Sequence, residues 1–369
     1  MEINKKISKV LDYLNRNAGK NHLEFMKFPH DTKIAEEILE YVKNLKYNTV
    51  IIIGIGGSML GGKMLVEALK SSSRPKFIFI DNIDPDYFAE ALADADLNNS
   101  VFVIASKTGN TIETTTNFSV LKKLLIKRGI PYRNKMIILT ENNNNFLNKT
   151  AKKEKLKCFH ISRNTIGRFS VLGPMGLVPA GLAKIDIKKI LEGARNIKID
   201  KAAGLALIQY LAYTKQKKPI TVIFPYSSKL NSFSEWYIQL LSESIGKNAK
   251  IGPTPIKAIG ATDQHSQLQL FMEGPNNKFI IFIEIEKFRH NIPEMERLIH
   301  AEAHATADAL TAKKRPSIII KLAALDEKNL GGLIYTLELQ IALLGKLFGV
   351  NAFNQPGVEL AKKLTKKYL

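Results

Sequence analysis

A chain of 369 residues exceeds one ordinary core and predicts two domains, while 45% hydrophobic and 24% charged residues exclude a disordered chain. No apolar run is expected to approach the roughly 18 to 20 residues of a membrane span, and no membrane partner is expected. The formal net charge of +20 admits a polyanion, but the lysines are dispersed from "KKISK" to "LAKKLTKK" without interleaved aromatics, so no nucleic-acid partner is expected.

The chain opens with "MEINKKISKVLDYLN", where charge and apolar residues alternate at helical spacing. It lacks the apolar core of a secretory signal, which predicts a cytoplasmic location. Strands are predicted at "TVIIIGI" (49–55), "KFIFID" (76–81), "SVFVIAS" (100–106), "KMIILT" (135–140) and "CFHIS" (158–162). Helical patterns such as "MLGGKMLVEALKS" and "ETTTNFSVLKKLLIKRG" lie between them. This alternation predicts an α/β fold with a parallel sheet flanked by helices. The single cysteine, Cys158, excludes an intrachain disulfide and reads as a small buried side chain.

Residues 180–205 read as mostly helical and as the joint between two units. The pattern restarts with strands at "PITVIFPYS" (219–227), "KFIIFIEI" (278–285) and "PSIIIKL" (316–322), with the helical "FSEWYIQLLSESIGK" after the first. A last helical stretch starts near Gly331, breaks at "NAFNQPG" and resumes as "VELAKKLTKKYL".

Two loops follow predicted strands with unusual chemistry. "GIGGSMLGGKML" (54–65) puts glycines where a strand turns into a helix, a place where backbone N–H groups favour anions. It approaches a dinucleotide fingerprint but lacks the final glycine, and a plain tight turn also accounts for it. "SKTGNTIET" (106–114) gathers Ser106, Lys107, Thr108 and Thr111, enough donors to surround a phosphate. No Walker-type spacing is present, and Thr111 or a neighbour could simply cap the helix near Glu113. Glu243 lies three and seven residues from Leu240 and Trp236, beside an apolar stripe rather than opposite it. His265 sits at a loop-to-helix junction and Arg168 in a turn-rich loop. His300 and His304 are spaced i, i+4, but without a third ligand nearby no metal is assigned.

Taken together these segments resemble the glucose-6-phosphate isomerase family. "GIGGSMLGGKML", "SKTGNTIET", "GRFSVLGPMGLVPAGLAKID", "WYIQLLSESIGK", "GATDQHSQLQLFMEGP" and "FNQPGVELAKK" are similar to its motifs, in its order, over about residues 50–365. The resemblance implies two sugar-isomerase domains, each a parallel sheet flanked by helices, over residues 1–195 (with a helical N-terminal extension) and 196–340. A C-terminal helical segment, 341–369, would pack over the site. It also implies that Ser106, Lys107, Thr108 and Thr111 hold a sugar phosphate, and that Gly57, Ser58, Gln239 and Gln355 line the sugar. Glu243 would be the isomerisation base, Arg168 the partner of an enediolate, and His265 and Lys362 the ring-opening groups. No metal or cofactor is implied. Family members are usually homodimers in which the matching histidine crosses to the partner's site. Departures from the pattern are Asn110, Gly173, Lys184 and Asn354. Two alternatives accompany this reading: a bifunctional phosphoglucose/phosphomannose isomerase, and a non-catalytic sugar-phosphate-binding regulator.

Overall fold

The computed structural model describes residues 2–73 and 75–369, with the backbone alone for residues 2–6, where part of the N-terminal helical pattern falls. After α1 (Glu2–Asn17) come α2 (Thr32–Lys43), β1 (Thr49–Ile53), α3 (Leu60–Leu69), β2 (Lys76–Ile80) and α4 (Pro85–Ala93). Then follow β3 (Ser100–Ala105), α5 (Ile112–Lys127), β4 (Met136–Glu141), α6 (Phe146–Glu154), β5 (Lys157–Ile161), α7 (Pro174–Leu182) and α8 (Ile187–Arg195). The chain continues through α9 (Ile199–Thr214), β6 (Ile220–Pro225), α10 (Asn231–Ile245), β7 (Thr254–Lys257), α11 (Gln264–Glu273) and β8 (Lys278–Lys287). It ends with α12 (Pro293–Ala312), β9 (Ser317–Ala324), α13 (Glu327–Phe348) and α14 (Glu359–Tyr368).

Residues 19–195 form one compact unit. Its strands run parallel in the order β2-β1-β3-β4-β5, with Ile51 opposite Phe102 and Ile104 opposite Ile138. Every residue of β1, β3 and β4 is buried, as expected of central strands covered on both faces. On one face Ile51, Ile53, Phe102 and Ile104 pack with Phe118, Leu121 and Leu125 of α5. Cys158 is only half-buried, at the margin of this cluster, where burial pushes its thiol up to about 11.

Residues 1–18 and 196–369 form the second unit, whose parallel sheet has the order β7-β6-β8-β9. Its core is aromatic, with the rings of Phe224, Tyr226 and Phe282 in mutual contact. The N-terminal helix is grouped here rather than with residues 19–195, where sequence order had put it. The cause is local: Val10 and Leu14 of α1 are buried, α1 packs on α13, and the Lys346 ammonium lies 3.6 Å from the Tyr13 ring centroid. The predicted boundary at 340/341 falls inside α13, a continuous helix held in the core along its length. That helix is long and apolar enough to cross a membrane by length and composition, contrary to the expectation that no run approaches a span, but its side chains are mostly buried in the protein. Strand β7 was not foreseen; four residues with a proline at a sheet edge carry almost no β signal.

The C-terminal helix forms where expected but does not pack as expected. Every residue from 354 to 369 is exposed, including Leu360 and Leu364 on the apolar side of α14.

Candidate active site

In the unit of residues 19–195, the loops after β1, β3, β4 and β5 all emerge at the carboxyl ends of parallel strands, where open α/β sheets bind ligands. The sheet order places the β1 and β3 loops side by side, and Gly54 rests against Ala105. A β-carbon at Gly57 would lie 2.4 Å from the carbonyl carbon of Gly167, so only glycine lets these two loops touch. Ser170 reinforces the junction, its hydroxyl donating to Gly167 O at 2.6 Å and Gly57 O at 3.5 Å. Gly57, Ser58 and the buried Arg168 are thereby brought together.

Thr111 occupies the N-cap position of α5, but its side chain makes no capping bond. Its hydroxyl instead lies 2.8 Å from Ser106 Oγ and 3.5 Å from Thr108 Oγ1. Simple capping is therefore not what these hydroxyls do. They converge on one point beside the positive end of a helix of 16 residues. Lys107, expected at the phosphate, pairs its ammonium with Glu141 at 3.1 Å and donates to Arg163 O at 3.0 Å. A buried carboxylate and a half-buried ammonium satisfy each other first.

The departures acquire local reasons. Asn110 turns its side-chain oxygen to accept from Phe146 N at 2.9 Å, holding the start of α6. Gly173 is the N-cap of α7 and faces the Phe28 ring, where a β-carbon would come within 3.3 Å. Lys184 has φ of +60°, the left-handed backbone that glycine adopts freely. Asn354 uses its carbonyl, which accepts from Lys247.

In the other unit, α10 buries Trp236, Tyr237, Leu240 and Leu241, and leaves Gln239 and Glu243 half-buried at the edge of that stripe. Gln239 Nε2 donates to Glu243 Oε1 at 3.0 Å, which fixes the carboxylate's rotamer. The ammonium of Lys247 donates both to Glu243 O and to Asn354 O, drawing the segment that carries Gln355 toward the end of α10. His265 is exposed at the second residue of α11, at the junction read from sequence. Lys362 is exposed on α14 and pairs with Glu359 at 2.8 Å. His265 and Lys362 thus stand exposed on two different helices.

His300 and His304 find their shared partner in Glu284 of β8: Nδ1 and Nε2 lie 3.1 and 2.9 Å from its Oε1, and Lys321 lies 3.4 Å from Oε2. Burial pulls the Glu284 carboxyl up, but His304, His300 and Lys321 together hold it below the usual range. Among the described residues no group of three His, Cys, Asp or Glu is arranged to hold a metal ion.

Comparison with known proteins follows this geometry. The family model described as phosphoglucose isomerase matches residues 41–315 and 311–369. The probable glucose-6-phosphate isomerase of Methanococcus maripaludis is 35% identical, covering 99% of this chain and 88% of that protein. The glucose-6-phosphate isomerase of Methanocaldococcus jannaschii is 39% identical, over 90% of this chain and 87% of its own. A crystal structure of a hypothetical protein from Thermus thermophilus superposes with a TM-score of 0.89 at 32% identity, over 99% of this chain and 94% of that one.

Proposed function

Because this chain belongs to the phosphoglucose isomerase family, we propose that it interconverts glucose 6-phosphate and fructose 6-phosphate, an aldose–ketose isomerisation of glycolysis and gluconeogenesis. The observation that carries the reading is the convergence of the Ser106, Thr108 and Thr111 hydroxyls at a sheet's carboxyl edge. Hydroxyls and N–H groups in that arrangement suit a dianionic phosphate.

The reaction opens a sugar ring and moves one proton between C2 and C1. Imidazole suits the opening near neutral pH: His265 gives a proton to the ring oxygen as the anomeric hydroxyl loses one, with Lys362 steadying the charge. Glu243 then takes the C2 proton of the open aldose and returns it to C1. One carboxylate serves both directions, and the Gln239 hydrogen bond keeps it aimed. The cis-enediolate between these steps carries negative charge on oxygen. Arg168 stabilises that charge and cannot lose its own proton. Gly57, Ser58, Gln239 and Gln355 line the sugar, and the anchored phosphate lets remote binding orient the reacting carbons. No step calls for a metal or redox cofactor.

We read the protein as a cytoplasmic homodimer. The exposed His265 and the exposed amphipathic α14 support a second copy as partner.

Incubating the protein with fructose 6-phosphate after EDTA treatment tests this reading. Glucose 6-phosphate should form at the untreated rate, without mannose 6-phosphate. Formation of both aldoses would point to the bifunctional enzyme. Tight binding with neither product would point to a regulator.

A further inference from the structure

The run "ENNNN" from Glu141 to Asn145 has no part in the chemistry above, yet it wraps the loop assigned to the phosphate. We propose that Glu141 and Asn145 are positioning residues that set the anion affinity of the 106–111 loop by fixing the direction of its peptide groups. The proposal rests on that loop being the phosphate site.

The carbonyls of the loop are held from behind. Lys107 O accepts from Glu141 N at 2.9 Å and from Thr140 Oγ1 at 3.3 Å, and Gly109 O accepts from Leu147 N at 3.2 Å. Among the described residues, no acceptor takes the N–H of Lys107, Thr108, Asn110 or Thr111. A peptide whose carbonyl is anchored on one side presents its N–H to the other, and several in succession make an anion-binding nest.

Glu141 and Asn145 hold the anchoring segment in place. The buried Glu141 side chain pairs with Lys107 at 3.1 Å through one oxygen and accepts from Asn143 Nδ2 at 2.8 Å through the other. Asn145, 2% exposed, donates from Nδ2 to Glu141 O at 3.0 Å and to Asn143 Oδ1 at 2.7 Å. Its Oδ1 accepts from Asn148 N at 2.8 Å and so caps α6. Gly109, at φ +66°, lies against this amide: a β-carbon there would sit 1.9 Å from Asn145 Oδ1. The pairing also explains why a carboxylate is tolerated beside an anion site. Lys107 neutralises it, and the attraction for phosphate is left to N–H groups and hydroxyls.

The experiment compares wild type with Glu141→Gln, Asn145→Ser and the double variant Ser106→Ala/Thr111→Ala. The readouts are kcat and KM for fructose 6-phosphate and the inhibition constant of inorganic phosphate. Serine at 145 still caps α6 but cannot reach Glu141 O. Glutamine at 141 removes a negative charge, which on charge alone would tighten phosphate binding; loss of the brace weakens it. Expected for each brace variant is a parallel rise of about tenfold in KM and in the phosphate constant, with kcat within about twofold. An unchanged or lower phosphate constant in both, beside a raised one in the double variant, overturns the brace and leaves the loop assignment standing. A fall in kcat alone, at constant KM and phosphate constant, marks mere loss of folded protein and equally overturns it. No change in any variant removes the loop assignment and the brace with it. Should one variant not fold, the other decides.

Discussion

Glu243→Gln should lower kcat for isomerisation by roughly a thousandfold while leaving KM for fructose 6-phosphate within about threefold, since a positioned base contributes on the order of 10² to 10⁴ in rate. Glutamine keeps the length and shape of the side chain and can still meet Gln239 through its own amide. Packing of α10 is set by Trp236, Tyr237, Leu240 and Leu241, which the substitution does not touch. What it removes is an oxygen able to accept the carbon-bound proton. Near-normal turnover would take the role of base away from Glu243. A large rise in KM at unchanged kcat would make it a binding residue instead.

The Ser106→Ala/Thr111→Ala variant should raise KM by roughly a hundredfold, because two hydrogen bonds to a charged group are lost together. Neither change should unfold the loop. Ser106 N still donates to Leu139 O, and Gly109 N still reaches Ser106 O, both at 3.0 Å. Inorganic phosphate should lose affinity as an inhibitor by a similar factor. An unchanged KM would place the phosphate elsewhere. Lys107→Ala should act less directly, because its ammonium is engaged by Glu141 and the Arg163 carbonyl.

These contrasts mark what the sequence could carry. Runs such as "TVIII" and "SVFVIA" are short, β-branched and bounded by turn formers, so their strands could be placed to within a few residues. Order along the chain also exposed the loops at strand ends. Direction within a loop was not legible: nothing in "SKTGNTIET" tells that Thr111 turns to Ser106 instead of capping α5, or that Lys107 turns to Glu141. The choice at Lys107 depends on a neighbouring strand's loop, more than thirty residues away in the chain. The run "ENNNN" carries no distinctive signal, because asparagine is a common turn former. Likewise α1 has the pattern of a surface helix, and no local signal says which unit will cover Val10 and Leu14. The helix of α14 follows from its own spacing, whereas the exposure of Leu360 and Leu364 on it does not.

Solvent-deuterium exchange tests the central claim most directly. Fructose 6-phosphate incubated with the wild-type protein in deuterium oxide should return glucose 6-phosphate carrying deuterium at C2, and unreacted ketose carrying it at C1. Glu243→Gln should show neither label although it still binds the ketose. Label appearing at wild-type rates in that variant would contradict the assignment of a single carboxylate as the proton carrier.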